Sequence, residues 1–125
     1  MATILIVEDD KNQRLLYEKE ISEEGYEVVT AADGDGALEK VQKGDVDLVI
    51  LDIRMPGMDG VEALGRILAI NKKIPVIINT AYTSYKENFM TWAADAYIVK
   101  SSDLSHLKKA VRDLLAKPNR ADAIA

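Results

Sequence analysis

Six side chains that could do chemistry stand directly after short apolar runs: Glu8, Asp9 and Asp10, then Asp52, Thr80 and Lys100. Clustered carboxylates repel one another and call for a cation. Hard oxygen ligands with room for water favour Mg²⁺ or Mn²⁺ over zinc. An aspartate beside such a cation can attack phosphorus to give an acyl phosphate. On that reading Asp52 is the nucleophile, and Lys100 and the Thr80 hydroxyl bind the phosphoryl oxygens, with backbone N–H groups after Asp52 and Thr80 as further donors. Each residue alone has a plainer role. Asp10 reads as a helix cap, and three acids after a strand as a solvated turn. Asp52 could cap the turn at Met55-Pro56-Gly57, Thr80 could satisfy strand-end backbone, and Lys100 could lie on the surface. Their joint placement favours the chemical reading.

The elements that must position them are legible as five β-branched runs: Ile4–Val7, Glu27–Thr30, Val46–Leu51, Ile74–Asn79 and Ala96–Val99. Each has strand length, and the first, third and fourth are nearly continuous in Ile, Leu and Val, as in parallel strands covered on both faces. Segments of helical spacing lie between them. Asp10/Gln13, Asp59/Glu62 and Ser84/Glu87 have the spacing of a capping box. Gly25 and Gly44 suit helix ends. Leu104, Leu107, Val111 and Leu114 form one stripe of the last helix, with Lys108, Arg112 and Asp113 outside it. Strict alternation predicts a doubly wound α/β fold with a parallel sheet and five helices. Ligands of such sheets bind beyond the strands' carboxyl ends, where the winding reverses. If strand one is central beside strand three, Asp9 and Asp52 fall on neighbouring strands about 5 Å apart.

A chain of 125 residues has the size of one domain. We expect the domain over 1–117, with 118–125 a tail or the start of a linker. A net charge of −5 argues against nucleic acid or anionic membrane as partners. No cysteine is present, which excludes disulfides and thiolate chemistry. No signal-peptide pattern and no apolar run near the roughly 20 residues of a membrane span is evident, so a cytoplasmic setting is expected.

The chain resembles the receiver domain of bacterial two-component response regulators, with the fold of the chemotaxis response regulator. The resemblance rests on Val7-Glu8-Asp9-Asp10, Leu51-Asp52-Ile53-Arg54-Met55-Pro56-Gly57-Met58-Asp59-Gly60, Thr80-Ala81 and Tyr97-Ile98-Val99-Lys100. It covers Ile4 to about Leu115 and implies a flavodoxin-like sheet of order 2-1-3-4-5. It also implies that Asp52 is the phosphoacceptor, receiving its phosphoryl group from a histidine kinase or phosphotransfer protein in a Mg²⁺-dependent reaction. Asp9 would bind the metal directly, Glu8 through water, and Arg54 through its backbone carbonyl. Thr80 and Tyr97 would form the switch pair. Arg54 and Tyr82 occupy positions that tune dephosphorylation, and Asn12, Gln13 and Arg14, on a solvated face starting at Lys11, are kinase-contact positions. Such a domain catalyses its own phosphorylation and dephosphorylation, yet serves chiefly as a switch signalling to a partner or an output domain.

Two departures from the family pattern stand out. Ser101 replaces the usual proline after the lysine, leaving cis and trans both open for the Lys100–Ser101 bond. The segment between Thr80 and Lys100 is also shorter than is usual, so its helix is expected to be short or shifted. Tyr85, Phe89 and Trp92 on that segment read as partly buried core or as a partner patch; His106 reads as a surface residue.

The competing functions are a pseudo-receiver that binds partners without phosphorylation, a haloacid-dehalogenase-like phosphatase and a flavodoxin-like nucleotide carrier. The phosphatase needs a second aspartate where Arg54 stands. The carrier would meet repulsion from Glu8 to Asp10. A stand-alone receiver and the receiver of a longer regulator are both compatible with the residues given.

Overall fold

The computed structural model describes residues 1–81 and 93–116. Its elements are β1 (Thr3–Val7), α1 (Lys11–Ser22), β2 (Glu27–Ala31), α2 (Gly34–Gln42), β3 (Leu48–Leu51), α3 (Gly60–Ile70), β4 (Val76–Thr80), β5 (Ala96–Val99) and α4 (Ser105–Ala116). All five strands are parallel, in the order β2-β1-β3-β4-β5. The winding reverses between β1 and β3, which places the expected ligand crevice at their carboxyl ends.

Side chains alternate across each strand, so the sheet has two apolar faces. Ile4, Ile6, Leu48, Ile50 and Ile77 point to one face, where Tyr17 and Ile21 of α1 and Leu107 and Val111 of α4 cover them. Leu5, Val7, Val49, Leu51, Val76 and Ile78 point to the other, against Ala37 and Val41 of α2 and Ala63, Leu64 and Ile67 of α3. Fully burying one such aliphatic side chain is worth about 1.5–3 kcal/mol. The two layers are therefore what hold the strand tips in place.

Two expectations need correction. The strand expected at Val46–Leu51 begins at Leu48. Ahead of it the Asp47 N–H donates to the Thr3 carbonyl, and the Asp47 carboxylate accepts the Thr3 N–H, both at 2.8 Å, in a side-chain closure of the ladder. The strand expected at Ile74–Asn79 runs from Val76 to Thr80. Pro75 has no N–H to give, and the Val76 N–H is taken by the Asp95 carboxylate at 2.8 Å. The fourth of the five expected helices falls on the segment after Thr80, and the other four are present among the described residues. Tyr82, the Ser84/Glu87 cap, Tyr85, Phe89 and Trp92 lie outside them, as does the tail from 118.

The helix caps form among the described residues, but neither expected capping box there closes. Asp10, Asp33 and Asp59 each accept an N–H from the third residue on. Gly25 and Gly44 end their helices at φ 98° and 83°, a region that costs glycine little. Glu62 pairs with Arg66 at 2.8 Å rather than turning back to Asp59, and the Gln13 side chain does not turn back to Asp10. It reaches instead toward the sheet edge.

Candidate functional site

The register of β1 and β3 pairs Val7 with Leu51. The next step along both strands sets Glu8, rather than Asp9, opposite Asp52, and the Asp52 N–H donates to the Val7 carbonyl at 3.2 Å. One carboxylate oxygen from each of Glu8, Asp9 and Asp52 lies within 4.8 Å of the others. Glu8 and Asp52 are buried and Asp9 is exposed. Three hard anionic oxygens at this spacing fit a divalent cation such as Mg²⁺, with the exposed side left for water. Arg54 lines the same cleft as Asp9, Met55, Pro56 and Asp59, a space of about 370 Å³.

Lys100, at the end of β5, closes the pocket. Its ammonium lies 2.7 Å from Glu8 Oε1, 2.9 Å from Asp52 Oδ2 and 2.6 Å from Gln13 Oε1. An ammonium has three donors, and all three are engaged. The second oxygen of Asp52 accepts the Ile53 N–H at 2.7 Å, so this expected backbone donor serves the carboxylate itself. The second oxygen of Glu8 accepts the Asp10 N–H at 3.2 Å. Burial pushes the Glu8 carboxyl above its ordinary value, against the opposing pull of Lys100 and the Asp10 N–H. Burial alone would depress Lys100, but its bonds to Glu8 and Asp52 outweigh that and hold it above the ordinary lysine value.

Thr80 is fully buried at the tip of β4 and accepts the Lys100 N–H on its carbonyl at 2.7 Å. Tyr97 pairs with Ile78 and packs on the α2/α3 face. Alternation puts Thr80 on the face of Val76 and Ile78, so Thr80 and Tyr97 share one side of the sheet. The Lys100–Ser101 bond is trans, since the described residues contain no cis peptide. His106 is exposed on α4, as expected.

The solvated face expected from Lys11 to Arg14 holds for Lys11 and Asn12 only. Gln13 bonds to Lys100, and the Arg14 guanidinium donates to the Glu8 and Asp9 carbonyls at 2.8 and 3.3 Å. Two further residues escaped the sequence reading. Buried Tyr17 of α1 shares a side-chain hydrogen bond with buried Asn79, and burial lifts its phenol above the ordinary value. Asn79 did carry a signal, as the one amide in an otherwise apolar strand run.

Residues 4–112 match the response regulator receiver domain family. The chain belongs to that family. The response regulator protein TrrA of Thermotoga maritima, solved in complex with Mg²⁺ and BeF, is 46% identical, with a TM-score of 0.88 over 90% of this receiver and 98% of TrrA. TrrA in complex with the histidine kinase ThkA matches at 45% identity and TM-score 0.87, over 94% of this receiver and 100% of that chain. Sporulation initiation phosphotransferase F of Bacillus subtilis is 39% identical over 114 residues, 90% of this receiver and 92% of its own length. The transcriptional regulatory protein ZraR of Escherichia coli is 38% identical over 123 residues, which span 96% of this receiver but only 28% of ZraR. No helix among the receiver's described residues is long and apolar enough to cross a membrane.

Proposed function

We propose that this receiver accepts a phosphoryl group on Asp52 and changes conformation to signal to a partner. The observation that carries the reading is the Lys100 ammonium set between the buried Glu8 and Asp52 carboxylates at 2.7 and 2.9 Å, with Asp9 completing the acid cluster. An Asp52 carboxylate oxygen attacks phosphorus, the new O–P bond forms, and the donor's bond to phosphorus breaks with its electron pair leaving on the donor. Lys100 and Thr80 bind phosphoryl oxygens as their charge shifts. Asp9 and Asp52 would hold Mg²⁺ directly, Glu8 through water and Arg54 through its carbonyl; when bound, the ion neutralises phosphoryl charge. Thr80 and Tyr97, on one side of the sheet, then carry the change outward as the switch pair.

The donor is a histidine kinase or phosphotransfer protein, a reading supported by the kinase complex of the relative TrrA. Asn12, exposed beside the exposed Leu15 and Leu16 on α1, and the half-buried Gln13 and Arg14 are the kinase-contact positions. Arg54 is exposed at the mouth of the cleft, where its bulk tunes access of water to the acyl phosphate; by the family pattern Tyr82 is the second tuning position. The domain spans 1–117, and its output is a separate protein or a further domain.

Incubation with acetyl phosphate and Mg²⁺, followed by intact mass measurement, tests the reading. The expected result is a mass gain of one phosphoryl group that hydroxylamine removes and Asp52→Asn abolishes. An unmodified wild-type protein with every donor tried, kinases included, would mark a pseudo-receiver instead.

A further inference from the structure

We propose that Gln13 is a positioning residue for phosphoryl transfer, its side-chain oxygen keeping the Lys100 ammonium over Asp52 when the carboxylates are otherwise engaged. The inference rests on the phosphoacceptor reading of Asp52. Lys100 has three acceptors, and two of them, Glu8 and Asp52, belong to the acid cluster whose oxygens would turn to a divalent cation. Asp52 also loses its negative charge once its oxygen is joined to phosphorus. Gln13 Oε1, at 2.6 Å, is the one neutral acceptor of the three and lies outside the acid cluster. Neither a cation nor the acyl phosphate removes it.

Its identity follows from the donor. An ammonium has no lone pair, so only the oxygen end of the amide can face it. Its support is rigid as well. The Gln13 N–H is held by Asp10 Oδ1 at 3.0 Å, and the next residue, Arg14, grips the Glu8 and Asp9 carbonyls. The first turn of α1 is thereby bound to the tip of β1, and Gln13 meets there the ammonium that Lys100 sends over from the end of β5. A side chain of equal length without an acceptor would fill the same space and leave one ammonium donor to water.

The test compares Gln13→Met, which keeps the length and loses the acceptor, with Gln13→Glu, which keeps an acceptor of the same reach. In the metal-free proteins, the nitrogen–hydrogen resonance of the Lys100 ammonium should be protected from solvent exchange in the wild type and in Gln13→Glu, and lost in Gln13→Met. With acetyl phosphate at saturating Mg²⁺, Gln13→Met should slow adduct formation on the order of tenfold, the worth of one charge-assisted hydrogen bond. In a Lys100→Met background the same substitution should add nothing. An unchanged rate in Gln13→Met, a slowing that persists without Lys100, or equal loss of the resonance in Gln13→Glu would each overturn the inference. A wild type that takes up no phosphoryl group would instead overturn the reading of Asp52, while the ammonium resonance still reports on the contact itself.

Discussion

Two lysine–glutamate contacts of almost identical length sit in very different settings. Lys100 meets Glu8 at 2.7 Å with side chains 15% and 3% exposed, and Lys108 of α4 meets Glu20 of α1 at 2.8 Å with side chains 23% and 28% exposed. The second pair ties two neighbouring helices at the surface, where water screens both charges and the net gain is small. The first belongs to a network that also includes Asp52 and Gln13, and there each charge depends on the others because water cannot replace them. Geometry alone would rank the two pairs as equals. Burial decides which of them can store and release energy when a charge is added.

Removing one partner from each pair should separate them most clearly. Lys100→Met strands two buried carboxylates, and we expect a loss of about 3 kcal/mol in metal-free denaturant unfolding at neutral pH, together with severely slowed phosphorylation. The pH dependence has a definite sign. Glu8 is already held above its ordinary value of 4.5 by burial, so its contribution is complete below that value and falls away as pH rises through the folded one. Without the opposing Lys100, the variant's deficit should be largest at neutral pH and shrink toward the acid end, where Glu8 takes up its proton. A deficit that stayed constant with pH would place its origin in packing rather than charge.

A smaller effect should come from behind the pocket. Gly60 opens α3 where an added Cβ would lie 2.2 Å from the Asp52 carbonyl and 2.6 Å from Ile53 Cα. Both neighbours are backbone, so neither can yield cheaply. Gly60→Ala should cost about 1–3 kcal/mol by overpacking and slow phosphorylation by shifting Asp52, read by the same unfolding and mass measurements. Smallest of all, Lys108→Met should leave the unfolding midpoint nearly unchanged, and added salt should erase what difference remains. A large loss there would undo the contrast between the two pairs.

Much of the site was visible in the chain because strand ends are written in residue type. An apolar run that stops at Glu8, Asp52 or Lys100 announces both the strand and what it presents. Thr80 was read as following its strand and proves to be its last residue. Gln13 was harder, because its spacing from Asp10 imitates a capping box and its polarity imitates a surface position. Nothing local to the sequence brings it to a lysine 87 positions away. Tyr17 was missed for the same reason, since its partner Asn79 lies on a strand that comes beside α1 only when the sheet forms.

The sequence by itself determined the alternation of strands and helices, the parallel sheet and the identity of the groups at its carboxyl edge. Those follow from hydrophobic periodicity and capping chemistry, which act over a few residues. Only the tertiary structure decided which acid faces Asp52, that Lys100 has three acceptors, and that Gln13 is one of them. Register and side-chain reach across β1, β3 and β5 settle such matters, and both arise only when distant segments share one core.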